Sequence, residues 1–392
     1  MKILQLISSA GHYGAENMLL NLAKSLERLG CTCVLGVFEN LHRPNTEIAE
    51  HAQQLGLQTV AIRCQGRADR EAVRAIRSRI ETQGIDLVHT HGYKADIYGY
   101  AAARTLPTPL IATCHNWTSA SVSLRLYAML DRWALRRFHR AVAVSEGVAV
   151  VLRRGGVAPE KITTISNGVD VAVFSAGRPT LAAEIGKGNR LVVGMVSRLV
   201  RGKGADDFLR AASDVLSCFP ETLFVLVGEG SARKELERLA GELGIENKVI
   251  FTGQRADMPG VYASLDVFVL PSLNEGMPLT VLEAQAANRA VIASRVGAVP
   301  QLIQHRETGL LIEPGDVASL RNAMLELLAD ASLRAGLAAR GQARVREHYS
   351  AESMARRYLS LYEDLLGGRA RQCQGAVCHV PPIAHENRQE EG

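Results

Sequence analysis

The sequence predicts an α/β protein made of two doubly wound domains in tandem, facing each other across a central cleft. Apolar runs of strand length alternate with amphipathic stretches of helix length along most of the chain, the pattern of parallel sheets covered on both faces. The alternation comes in two series, divided by a polar segment with glycine and proline near residues 172–189. The length of 392 residues also exceeds what one hydrophobic core usually supports. Such sheets bind ligands at the carboxyl ends of their strands, so the cleft is the natural site.

In order, residues 2–8, 31–38, 57–62, 86–90, 109–114, 140–144 and 161–165 read as the strands of a first domain spanning 1–175. Leu191 to Val196, Leu223 to Val227, Val249 to Thr252, Asp266 to Leu270, Ala290 to Ser294 and Gly309 to Ile312 read as those of a second, spanning 190–350. From about residue 316 the pattern is purely helical and ends in a helix over 351–366. Residues 367–392 are polar and aperiodic, which predicts a disordered tail.

Composition excludes several classes of function. With 47% hydrophobic and 22% charged residues the chain reads as an ordinary globular protein. A net charge of +5 is mild, and no basic stripe is interleaved with aromatics, so nucleic acid is not an expected partner. Seven scattered cysteines, without zinc-type spacing, predict a reducing cytoplasm rather than a disulfide framework or metal centre. The start of the chain lacks a signal-peptide core and no run is long enough to span a bilayer.

The most informative stretch runs from Leu270 to Ala284: an apolar strand, a loop Pro271-Ser272-Leu273-Asn274-Glu275-Gly276-Met277, then Pro278-Leu279 opening a helix. Pro278 suits a first helical turn, where its missing N–H costs nothing, and Gly276 lets the backbone approach a ligand. The free N–H groups of that turn form an anion site. Glu275 and Glu283 flank it, eight residues apart, so a near-helical path puts both on one face. Ribose, diphosphate and hexose, in that order, match carboxylate, anion site and carboxylate, which describes a nucleotide sugar. Taken singly, each Glu reads equally well as a helix-dipole partner or a solvated residue.

Other strand ends carry candidates. Gly11 and Gly14 follow the first strand, but a full G-x-G-x-x-G fingerprint is missing, which argues against a nicotinamide cofactor. His89 and His91 share one face of a strand end, one expected to bond locally and the other to line the cleft; no third metal ligand accompanies them. His115 ends the fifth strand. Arg198 and Lys203 lie on the loop after the first strand of the second domain, opened by Gly202 and Gly204. From Leu124 to Ala141, Arg125, Arg132, Arg136, Arg137 and Arg140 stand among apolar and aromatic residues. Two readings stay open there: a solvated helix face, or a surface that lies on anionic lipid.

The Leu270–Ala284 stretch resembles, nearly residue for residue, the Glu-x7-Glu signature of retaining glycosyltransferases of family 4, group 1, whose fold is GT-B, two Rossmann-like domains facing a cleft. The resemblance extends over roughly residues 1–366. It implies that Arg198 and Lys203 hold the donor diphosphate, Glu275 the sugar hydroxyls and Glu283 the ribose, with the backbone of Gly276, Met277, Pro278 and Leu279 along the sugar and phosphate. It further places His115 beside the transferred sugar, Gly14 against the diphosphate across the cleft, Gly228 at a Gly-x-Gly turn near the donor and Arg255 near the base. One departure is Asn288-Arg289-Ala290, where relatives carry a small residue and then proline. The implied reaction moves a sugar from a UDP- or GDP-sugar to a glycan or lipid-linked acceptor of envelope or exopolysaccharide synthesis. Retention, no metal and no cofactor, a last helix crossing back to the first domain, and domain closure about hinges near 172–189 and 347–352 are part of the same expectation. So is a cytoplasmic location with peripheral contact on the inner face of the membrane. The rivals are a nucleotide-sugar epimerase on the same fold and an inactive nucleotide-sugar-binding protein.

Overall fold

The computed structural model describes residues 1–9, 14–41, 46–66, 68–115 and 122–370. The Gly11-His12-Tyr13 turn and the expected tail beyond residue 370 lie outside that set. Two sheets are present among the described residues, both wholly parallel. The first contains β1 (Lys2–Ile7), β2 (Thr32–Asn40), β3 (Gln58–Cys64), β4 (Leu87–His91), β5 (Leu110–Cys114), β6 (Arg140–Ala143) and β7 (Ile162–Thr164), in the order β3-β2-β1-β4-β5-β6-β7. The second contains β8 (Val192–Val196), β9 (Leu223–Val227), β10 (Val249–Gly253), β11 (Val267–Leu270), β12 (Ala290–Ser294) and β13 (Leu310–Ile312), in the order β10-β9-β8-β11-β12-β13. Every expected strand is present.

The helices of the first domain are α1 (Gly14–Arg28), α2 (Glu47–Gln54), α3 (Arg70–Thr82), α4 (Tyr93–Ala103), α5 (Val122–Leu135) and α6 (Glu146–Arg154). Two short helices, α7 (Val171–Ser175) and α8 (Thr180–Glu184), lead into the second domain. There follow α9 (Ala205–Leu216), α10 (Arg233–Glu242), α11 (Met258–Ser264), α12 (Leu279–Ala286), α13 (Val299–Leu302), α14 (Val317–Ala329), α15 (Ala331–His348) and α16 (Ala351–Ala370).

Strands with helices on both sides must be apolar throughout, and Leu223-Phe224-Val225-Leu226-Val227 of β9 is buried at every position. What positions the site is strand order. The sequence order reverses direction at β1/β4 in one sheet and at β8/β11 in the other, and loops leaving such neighbours diverge to open a crevice. Gly14 follows the loop after β1, Lys203 lies on the loop after β8, and Glu275 on the loop after β11.

The chain passes between the domains twice, through α7 and α8 and again between α15 and α16. The Val169 N–H donates to the Tyr349 carbonyl at 3.0 Å and the Ala351 N–H donates to the Val169 carbonyl at 2.8 Å. These hydrogen bonds join the lobes beside the covalent connection through α7 and α8. From there α16 runs back along the first domain and packs on α1, burying Tyr358 and Tyr362 completely. Their hydroxyls reach the sheet: Tyr358 lies 2.8 Å from Thr113 Oγ1 and Tyr362 lies 2.7 Å from His89 Nδ1. Tyr358→Phe deletes one of these buried bonds and is expected to cost about 1 kcal/mol, lowering the melting transition by about 2–4 °C in scanning calorimetry.

Candidate functional site

At the mouth of the second sheet the loops after β8 and β11 meet. Lys203 Nζ donates to Glu275 Oε1 at 2.6 Å, with both side chains mostly buried, so two residues distant in sequence form one ion pair at the crevice. Backbone contacts hold them there: the Leu273 N–H donates to the Gly202 carbonyl at 2.9 Å, and the Ala298 N–H to the Gly276 carbonyl at 2.9 Å. Gly204 takes φ +72°, and a Cβ there would lie 2.0 Å from the Pro271 carbonyl oxygen, so only glycine lets the loops close on each other. Neither α9 nor α12, whose N-termini follow these loops, has a side-chain cap. Their first-turn N–H groups therefore remain available to an anion. Arg198 is exposed on the β8 loop.

Glu275 precedes α12, so the two carboxylates do not share a helix face as their spacing suggested. Glu283 lies within α12, buried, and its Oε2 accepts from the Tyr262 hydroxyl at 2.8 Å. Sequence gave no signal for Tyr262, which reads as a core residue. The departure at Asn288-Arg289 leaves this helix in place. Asn288 ends it in the left-handed region at φ 58°, and Arg289 donates to the Ala287 and Leu265 carbonyls at 2.8 and 2.9 Å.

Across the cleft, a Cβ on Gly14 would sit 3.9 Å from Leu279 Cδ1, so the start of α1 directly faces the start of α12. Asn167, beyond β7, donates from its backbone to Met277 Sδ at 3.1 Å and from Nδ2 to the Met277 carbonyl at 3.4 Å. It ties the first domain to the signature loop. Its signal in the sequence is a polar residue just past a strand end.

His115 lies half-buried at the end of β5, its ring stacked 6.1 Å from that of His91. Its Nε2 is buried without a hydrogen bond among the described residues. Burial lowers the imidazole to about 4, so it is neutral at physiological pH and can orient a hydroxyl without adding charge. The expectation that His89 or His91 lines the cleft is corrected: both are buried. His89 is bonded between Thr113 and Tyr362, and His91 lies 2.9 Å from Gln5 Oε1.

Other residues take structural positions. Arg255 is held by Glu184 at 2.7 and 3.0 Å and by Asp257 at 2.8 Å, clamping α8 to the second domain. Gly228 works by close approach, since a Cβ there would lie 2.0 Å from the Ser197 carbonyl oxygen beneath Arg198. Among the basic residues near α5, Arg136 donates twice to the Gly155 carbonyl, at 3.1 and 2.8 Å, and is not free for lipid. Arg140 belongs to β6 and donates to the His139 carbonyl. Arg132 and Arg137 are exposed, and the side chain of Arg125 lies outside the described residues. Trp117 does too.

Burial pushes the Glu283 carboxyl from 4.5 up to about 7, against the lowering effect of the Tyr262 hydroxyl. Because the folded state binds this proton more tightly than the unfolded chain, stability falls as pH rises from about 4.5 through 7 and the full penalty is present above that window. Glu283→Gln keeps the shape and removes the charge. It is expected to gain on the order of 2–3 kcal/mol over the wild type at pH 8 and nothing at pH 4, read as melting temperatures at the two pH values.

Residues 190–330 match the family described as glycosyl transferases group 1, and residues 13–173 match glycosyltransferase family 4. The UDP-Gal:alpha-D-GlcNAc-diphosphoundecaprenol alpha-1,3-galactosyltransferase of Escherichia coli is 31% identical over 275 residues, covering 67% of this chain and 71% of the relative. The lipopolysaccharide core biosynthesis mannosyltransferase LpcC of Rhizobium leguminosarum is 31% identical over 257 residues, covering 63% of this chain and 70% of the relative. Among solved structures, Anabaena HepE in complex with UDP-glucose superposes with a TM-score of 0.81 at 24% identity, over 93% of this chain and 100% of the other. With the two facing parallel-sheet domains, these matches place the chain in glycosyltransferase family 4, the group 1 glycosyltransferases, with a GT-B fold.

Proposed function

We propose that this glycosyltransferase moves a hexosyl group from a UDP- or GDP-sugar to a lipid-linked or envelope glycan acceptor, with retention and without a metal ion or cofactor. The observation that carries the reading is the meeting of Lys203 and Glu275 at 2.6 Å where the two switch-point loops converge. The names of the E. coli and Rhizobium relatives, and the UDP-glucose bound to HepE, support the donor and acceptor classes.

The pair is an exchange device. A donor pyrophosphate brings negative charge to Lys203, Arg198 and the amide dipoles of α9 and α12, and Lys203 transfers its contact from Glu275 to phosphate. Glu275 is then released to accept from the hexose hydroxyls, while Glu283 accepts from the ribose. As the C1–O bond to the diphosphate breaks, charge accumulates on the leaving oxygen beside Lys203. The acceptor hydroxyl forms the new C1–O bond on the same face, and its proton passes to the departing diphosphate. Neutral His115 orients the sugar.

No described helix is long and apolar enough to cross a membrane. The proposed location is the cytoplasm, at the inner face of the membrane, with α5 against the lipid: Met129, Leu130 and Trp133 are 59%, 43% and 46% exposed, beside Arg132 and Arg137.

Acceptor-dependent release of nucleoside diphosphate separates transfer from epimerisation, which yields a new nucleotide sugar without acceptor. Lys203→Ala is expected to lower kcat by about 10²–10³ while the melting temperature moves by only a few degrees. Rates in EDTA should equal those without it; loss of turnover on chelation contradicts the metal-free reading. For the membrane contact, Arg132→Glu with Arg137→Glu should reduce flotation with anionic vesicles, and unchanged flotation removes that surface.

A further inference from the structure

The outer layer of the first domain holds a cavity of about 510 Å³ between α3, α4 and α5. Its apolar floor includes Tyr100, Leu130 and Trp133, and Arg70, Arg74 and Arg104 line it as well; no carboxylate does. All three arginines are exposed, and none of their guanidinium groups forms a hydrogen bond or ion pair with another described residue. By contrast, Arg77 on the same helix is paired with Glu81 at 3.0 Å. The aromatic floor is built rather than loose: Trp133 meets Tyr100 edge-on at 5.4 Å, and the Arg137 guanidinium lies 3.9 Å from the Trp133 ring centre.

Three unpaired guanidiniums beside an apolar, aromatic pocket suit a ligand with an anionic head and a hydrocarbon tail. The volume falls in the range of small-ligand pockets. We propose that this cavity binds the headgroup of an anionic glycerophospholipid of the bilayer, its phosphate on Arg70, Arg74 and Arg104 and its upper acyl chain along Tyr100, Leu130 and Trp133. The proposal rests on the reading of α5 as the membrane-facing helix and adds to it one discrete, saturable site. A lipid-linked acceptor fits this place less well. The helix α4 starts at the cleft edge of the sheet and Arg104 follows its last turn, roughly 16 Å away at 1.5 Å per residue. An acceptor must present its hydroxyl inside the cleft.

The test uses the full chain. Trp117→Phe leaves Trp133 as the single indole, because the sequence contains 2 tryptophans. Titration of that protein with monomeric dihexanoyl phosphatidylglycerol should give a saturable change in indole fluorescence, with one lipid per chain. The phosphatidylcholine analogue and glycerol phosphate should require far higher concentrations. Adding Arg74→Gln and Arg104→Gln should raise the Kd at least about tenfold, and the same pair in the wild-type background should weaken flotation with phosphatidylglycerol vesicles by a similar factor. If the wild type floats but the titration never saturates, the site is overturned while the membrane-facing helix stands. If the wild type does not float on anionic vesicles, both fall. If the double variant floats normally but shows a raised KM for a lipid-linked acceptor, the cavity serves the acceptor and the proposal is wrong.

Discussion

The strap at Val169 and Ser350 is the constraint on which the rest of the molecule depends. Two sheets with open switch points are only half-sites until something holds them mouth to mouth. Two backbone hydrogen bonds contribute to this, beside the Asn167–Met277 contacts and the connection through α7 and α8, with Gly168 packed so tightly that a Cβ would lie 2.5 Å from the Ser350 carbonyl oxygen. Around this crossing, the Gly168 N–H meets Met354 Sδ at 3.1 Å, and Asp170 lies 3.9 and 3.7 Å from Lys24 and Arg28 of α1. From this crossing the two mouths are held so that Gly14 of the first domain approaches Leu279 at the start of α12.

The strap also explains why a helix that follows the second domain belongs to the core of the first. α16 begins at the crossing, and its tyrosines end in the hydrogen bonds of Thr113 and His89 at the strand ends. Burial lowers His89 to about 3 and His91 well below its ordinary value, so this polar network is uncharged. On the second-domain side of the cleft, charge is carried by the Lys203–Glu275 pair and by the exposed Arg198. An anionic donor entering the cleft meets in Lys203 a cation whose carboxylate partner it can displace.

Sequence made the fold legible because strands between two layers of helices are rich in apolar residues: β5, β8, β9, β11 and β12 are buried at every position, whereas β3 and β7, at the edges of the first sheet, are partly exposed. Loops after strands were legible for the same reason: Lys203 and Glu275 stand out as polar groups at the ends of apolar runs. Period-two alternation placed His89 and His91 on one face but carried no information about α16, more than 250 residues later, which covers it. Tyr262 was hidden because its bond to Glu283 joins two helices across 21 residues. The spacing of Glu275 and Glu283 suggested a shared helix, whereas Pro278 starts that helix only after Glu275 has been placed by the loop.

The arginines show how far residue type alone can lead. Arg255, Arg233 and Arg136 look in sequence like loop or surface cations. The structure spends their donors on Glu184 and Asp257, on Glu229 and Glu237, and on the Gly155 carbonyl. A guanidinium so engaged fixes one segment against another and has little left for a ligand, since each bond it makes follows the planar geometry of its five N–H groups. An exposed lysine or arginine without a partner keeps its whole donor set, and water satisfies it until an anion arrives. Lys203 falls between these cases: it is paired, but with a single carboxylate oxygen at the rim of the cleft, a contact that a pyrophosphate can replace with more charge and more acceptors. Position at a strand end finds such residues. Only the partner across the fold tells whether they hold the structure together or wait for substrate.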